Sequence, residues 1–297
     1  MKKSNTLNPL IHKRLHEKAL PYLLLLPATV SFGLFTFWPF FRSVFLTLTI
    51  TDATGDPVKW VGLGNFKRIF DQTSFWNIMN NTYIFALIVG AGTFFIALFL
   101  AYLSIEERKG CRIYQTMYSL TMAIASAPAA AIGWLLFKKS GLLNQLLGTS
   151  TDWLITESTA LYCVAALTVW LRIGASYLFL LVGFRAVPNE LIEAAKLDGA
   201  GPVRRLFRII CPVASPQIFF VVFLNITGSF KAFGQIKMLT GGGPAGASET
   251  LIYSIYKNGI VSGRFETGCV YALILFLVIF LTTRIQFLLE KRLVHYQ

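Results

Sequence analysis

The chain has 297 residues, 55% of them hydrophobic and 14% charged, and carries a formal charge of +13. A mean hydropathy of +0.61 excludes an ordinary water-soluble domain, in which about a quarter of residues are charged. The basic residues are dispersed between apolar blocks rather than gathered in one region, so topology accounts for them and nucleic acid does not.

Residues 1–21 form a basic segment with Leu10, Ile11 and Leu15 among the charges, which suits an amphipathic helix on the membrane interface. His12 and His16 have the spacing of a helical metal pair, but no third ligand is near and the only other histidine is His295; we expect no metal site. The first apolar block, Tyr22 to Thr49, follows like the core of a signal peptide but is too long for one, so it reads as a retained span. Further blocks at Ile78 to Ile105, Tyr114 to Phe137, Ser158 to Phe184, Val213 to Lys237 and Glu266 to Leu288 are each long enough to cross about 30 Å of hydrocarbon. The expected fold is all-α: six spans over residues 22–288, then a short tail at 289–297.

Counting Lys and Arg in alternate loops gives sixteen on the side of both termini and seven on the other. The positive-inside rule then places both termini in the cytoplasm, in agreement with an even number of spans. Cys111, Cys163, Cys211 and Cys269 form no close pair and read as packing residues. No Walker A sequence occurs, so ATP and Mg, if used, belong to another subunit. The run Gly241-Gly242-Gly243-Pro244 reads as a tight external turn.

The cytoplasmic loop 185–212 is written as two short helices. Pro188 and Asn189 suit a start, Glu190 to Leu197 are good helix formers, Gly199 suits the left-handed stop, and Pro202 opens a second helix bearing Arg204, Arg205 and Arg208. Leu191, Ala194, Ala195 and Leu197 give it a small apolar face flanked by carboxylates. Two readings fit these residues: docking to a soluble partner, or an interfacial pair on anionic lipid headgroups.

Ionisable groups inside a span need compensation. Arg172, Ser176 and Tyr177 cluster on the fourth span, and Thr227, Lys231 and Gln235 recur every four residues on the fifth, with Asn225 and Ser229 beside them. Such stripes serve either a polar translocation path or hydrogen-bonded glue between helices. An ion-coupled transporter or channel acting without ATP is the alternative, but no Asp or Glu lies well inside a span to couple an ion.

Glu193-Ala194-Ala195, three residues, Gly199, nine residues, Ile209 and Pro212 together resemble the coupling-loop signature of binding-protein-dependent ABC importer permeases, with Cys211 at the usual leucine position. Leu239-Thr240-Gly241-Gly242-Gly243-Pro244 resembles the carbohydrate subgroup, in particular glycerol-3-phosphate and oligosaccharide permeases related to those for maltose. The resemblance implies a non-catalytic membrane subunit in a bacterial inner membrane. Its implied partners are a second permease, two ATPase subunits, an extracytoplasmic solute-binding protein, a small polar solute and membrane lipid. It implies Glu193, Ala194, Ala195, Asp198 and Gly199 as ATPase-coupling residues, and Arg172, Tyr177, Asn225, Ser229 and Lys231 along a substrate path.

Overall fold

A computed structural model of the chain describes residues 9–106 and 109–294, with side chains from Leu20 onward except that of Leu293. The expectations about Lys2, Lys3, Arg108, His295 and the side chains of His12 and His16 lie outside the described residues.

The described residues begin with helix α1 (Pro9–Phe32), which continues through a π-helical stretch, Gly33–Phe37, into α2 (Trp38–Leu46). Within this unit Leu20–Leu46 is long and apolar enough to cross a membrane, yet its apolar stretch buries nothing inside the chain. Only its far end is anchored, with Phe40 against Phe276 at 5.4 Å between ring centroids.

After Leu46 the chain forms an antiparallel hairpin, β1 (Thr49–Thr51) with β2 (Pro57–Trp60). The fold is therefore not purely helical, and the first span ends before Thr49. The reason is local: Asn65, buried in α3 (Gly64–Phe70), donates its amide to the carbonyls of Thr47 at 2.9 Å and Thr49 at 2.8 Å, turning the chain out of the helix. The Asp52 carboxylate accepts hydrogen bonds from the Thr54 hydroxyl at 2.7 Å and the Asp56 N–H at 2.8 Å, which closes the hairpin tip. These bonds, the Thr54 hydroxyl first, hold its carboxyl below the ordinary carboxylate range.

The core is built on α4 (Thr73–Leu103) and α8 (Glu157–Arg185). Lipid gives no hydrophobic drive for helix association, so close packing must supply it. On α4, Ala86, Gly90, Thr93, Ala97 and Ala101 are all buried and recur every three or four residues, which lets neighbouring backbones approach.

Between them run α5 (Cys111–Leu120), a 3₁₀ turn Thr121–Ala123, α6 (Ser126–Phe137) and α7 (Leu142–Leu147). The expected third span is thus broken, bent by 104° at residues 124–125. Pro128 lies in the first turn of α6, where a missing N–H costs nothing, so a new helix starts there.

Beyond α8 come α9 (Asn189–Leu197), α10 (Pro202–Arg205), a π stretch Leu206–Ile210, α11 (Cys211–Val213) and α12 (Ser215–Ser229). The segments before and after Ala214 meet at 84°. The chain then leaves helical geometry at 230–233 and resumes as α13 (Gly234–Leu239), α14 (Leu251–Tyr256), a π stretch Lys257–Val261 and α15 (Phe265–Leu293). The expected fifth span is therefore two pieces, and Thr227, Lys231 and Gln235 do not share one continuous helix. Among the described residues four helices are long and apolar enough to cross a membrane, or up to six if each bent pair is one span.

Candidate functional site: two broken helices beside the α8–α12 seam

Non-helical backbone at membrane depth persists only where protein buries it or where it lines a wet cavity. Here the breaks at 124–125 and 230–233 sit together, because the Gln235 amide on the first turn of α13 donates to the Ser126 hydroxyl at the start of α6, at 3.3 Å. Phe230 and Ala232 are buried in the second break while Lys231 between them is exposed. A cation in a span needs polar surroundings or compensation, and Lys231 is the cation that the second break leaves exposed.

Arg172 comes from the middle of α8. Its Nη2 donates to the Leu224 carbonyl at 3.0 Å, and the guanidinium lies over Gly228, where a Cβ would come within 2.7 Å of Nη1. Gly228 thus leaves the space that Arg172 fills. The Arg172 Nε is buried with no hydrogen-bond partner among the described residues, which keeps one donor in reserve.

One turn on, the Asn225 amide donates to the Ser176 hydroxyl at 3.0 Å, and that hydroxyl returns a bond to Asn225 Oδ1 at 3.2 Å. Ser229 is buried as well and donates to the Ile226 carbonyl at 2.7 Å. Asn225 and Ser176 therefore spend their hydrogen bonds on helix-to-helix glue, and Ser229 spends its own on α12 itself. Tyr177 is 0% exposed; its ring meets Tyr118 edge-on at 5.4 Å, in the core formed with Leu180, Phe184 and Leu206. Of the five path residues, the structure leaves Lys231 open, holds Arg172 partly in reserve and packs Tyr177, Asn225 and Ser229 away.

At the opposite end from the hairpin, α9 stands outside the bundle. Glu193, Ala194, Asp198 and Gly199 are exposed, and Leu191 and Leu197 are 44% and 89% exposed, whereas Ala195 is buried. Ala195 seats the helix on the bundle and its neighbours face outward. Gly199 takes φ +74°, and nothing lies within 4 Å of the place a Cβ would take, so backbone conformation and not space requires glycine there.

Sequence reading missed Ser126 and Gly228. Ser126-Ala127-Pro128, a helix-start pattern in the middle of an apolar block, was the available signal. It also missed the polar layer at the hairpin end. There Glu249, 5% exposed, accepts from the Lys257 amine and the Ser254 hydroxyl, both at 2.7 Å. These residues lie within eight positions of one another just after the glycine run, so their pairing is local to the start of α14.

A helical membrane subunit with two broken helices at its centre and an exposed helix at one end has the form of a transport permease. Residues 17–295 match the family of binding-protein-dependent transport system inner membrane components, and the chain belongs to that family. It is 35% identical over 283 residues to the sn-glycerol-3-phosphate transport system permease protein UgpA of Yersinia pestis bv. Antiqua (strain Antiqua), covering 94% of this chain and 96% of that protein. It is 33% identical over 285 residues to the UgpA permease of Agrobacterium fabrum (strain C58 / ATCC 33970), covering 94% and 97%. Its fold matches a bacterial ABC transporter involved in the import of the acidic polysaccharide alginate, with a TM-score of 0.82 and 19% identity over 96% of this chain and 99% of that one.

Proposed function

We propose that the chain is one of two transmembrane permease subunits of an ATP-driven importer that passes a sugar, oligosaccharide or polyol phosphate from an external binding protein into the cytoplasm. The observation that carries this reading is α9: a short helix seated by Ala195, presenting Glu193, Ala194, Leu197 and Asp198 outward and ended by the left-handed Gly199. An apolar side chain as exposed as Leu197 at the tip of a protein suits contact with a soluble partner. Glu193 then pairs with a cation on an ATPase subunit. The family and the relatives' glycerol-phosphate function support the importer class.

In this reading the hairpin end is extracytoplasmic, α9 and both termini are cytoplasmic, each bent pair counts as one span, and ATP and Mg stay on the partner subunits. The solute passes by the exposed Lys231, with the buried Arg172 Nε as a donor in reserve behind it. Glu193→Ala and Gly199→Leu should leave the assembled complex intact but lower solute-stimulated ATP hydrolysis and uptake. Full stimulation and uptake in both variants would overturn the coupling role.

A further inference from the structure

We propose that the polar cleft at the hairpin end is a capture subsite for a neutral, polyhydroxylated part of the solute, an inference that rests on the importer reading above. The cleft holds about 860 Å³ between the outer turns of α4, the start of α8 and the glycine-rich loop, within the range of small-molecule sites. Ser74, Asn77 and Asn81 recur along one face of α4 with Asn80 beside them, so polar groups line successive turns. An asparagine amide offers an acceptor and two donors in one plane, which suits adjacent hydroxyls that both donate and accept.

The wall opposite is fixed by Asn81, whose amide donates to the carbonyls of Gly246 at 3.1 Å and Glu249 at 3.2 Å. Asn77 and Asn80 are exposed to the cleft and have no hydrogen-bond partner among the described residues, which leaves their amides for a ligand. Gly241 and Gly242 take φ +57° and +78°, and the space beside Gly242 is filled by Tyr253, so the glycines fix the path of the loop that walls the cleft.

Charge selects the class of ligand. The ionisable groups lining the cleft are Glu157, Glu249 and Lys257, two negative and one positive. The Lys257 amine is bound to Glu249 Oε2 at 2.7 Å, and Glu157 is exposed. An anion would meet a net negative cleft whose one cation is engaged, whereas hydroxyl groups meet amides that both donate and accept and a carboxylate that accepts.

The test uses the whole transporter in membranes, with Ala245→Cys as a reporter on the cleft wall and Ala53→Cys on the hairpin as a remote control, both without the native cysteines. The rate of labelling by a hydrophilic maleimide is measured with maltose, raffinose, sorbitol or sn-glycerol 3-phosphate at millimolar concentration. At least one neutral compound should slow labelling at Ala245→Cys by about threefold, the effect of two-thirds occupancy, and leave Ala53→Cys unchanged. The phosphate ester should not slow it, and protection should vanish in Asn77→Leu/Asn80→Leu, both surface positions. No protection by any neutral compound, equal protection by the phosphate ester, or protection surviving the double substitution each overturns the subsite. Solute-stimulated ATP hydrolysis is read on the same membranes: its absence with protection intact defeats the importer reading alone, and its presence without protection defeats the subsite alone.

Discussion

Gly174→Ala tests the central crossing of the fold. Gly174 lies in the middle of α8 where the broken third span passes, and its N–H lies 3.1 Å from the Thr121 hydroxyl oxygen. A Cβ there would stand 2.6 Å from Thr121 Oγ1, 3.0 Å from the Ser119 carbonyl oxygen and 3.1 Å from Met122 N. The hydroxyl can rotate away, but the two backbone atoms yield only if the turn before the break shifts. Overpacking of this kind costs about 1–3 kcal/mol, while alanine for glycine in a helix returns about 1 kcal/mol. Gly33→Ala isolates the second effect, since nothing lies within 4 Å of its added Cβ. The difference between the two variants should therefore be about 1–3 kcal/mol, with Gly174→Ala the less stable. Thermal inactivation half-lives of the detergent-solubilised complex measure it at one temperature, because unfolding of such an assembly is irreversible. Adding Thr121→Ala should restore only the part due to the hydroxyl. If Gly174→Ala and Gly33→Ala survive equally, the broken span does not cross α8 at this point.

Ser176→Ala and Asn225→Ala should each cost about 1–3 kcal/mol by leaving a buried partner unsatisfied, and the double variant less than the sum; additive half-life losses would deny the pair. Cysteines at Asn189 and Ala53 should label from opposite sides of the membrane, and same-side labelling removes the six-span topology; Ser248, 0% exposed, is unsuitable as a reporter. Lys231→Gln should retain uptake of a neutral solute and Lys231→Leu lose it at equal assembly, since a donor and not a charge is then required; parental uptake in both takes Lys231 off the path. The lowered Asp52 carboxyl stabilises the hairpin fully above the ordinary carboxylate range, and this contribution fades as pH falls through the lowered value. Protection of the amides across 49–60, taken as exchange relative to the intrinsic rate at each pH, should fall only in acid, and Asp52→Asn should abolish that pH dependence; an unchanged profile in the variant refutes the turn's role.

Much of the α9 region was legible because its signals are local. Pro188, Asn189, Gly199 and Pro202 set backbone angles that hold in any context, and the structure places helix ends within a residue or two of them. The substrate path was less legible. Periodicity assumes a continuous helix, and the assumption failed at 230–233, where Lys231 leaves the stripe of Thr227 and Gln235. Composition could mark Asn225, Ser229 and Tyr177 as polar groups in a span, but not that Asn225 would find Ser176, or that Tyr177 would pack against Tyr118.

The sequence by itself determined the solvent, the unbroken helices α4, α8 and α15 and the exposed loop between α8 and α12, because hydrophobic length and turn chemistry act over a few residues. Tertiary structure alone decided which intramembrane polar groups are spent and which are free. That choice depends on partners fifty or more residues away, as with Arg172 at the Leu224 carbonyl and Asn81 at the glycine loop. A buried polar side chain takes whatever partner the packing brings within about 3 Å, and nothing in its own neighbourhood of sequence names that partner.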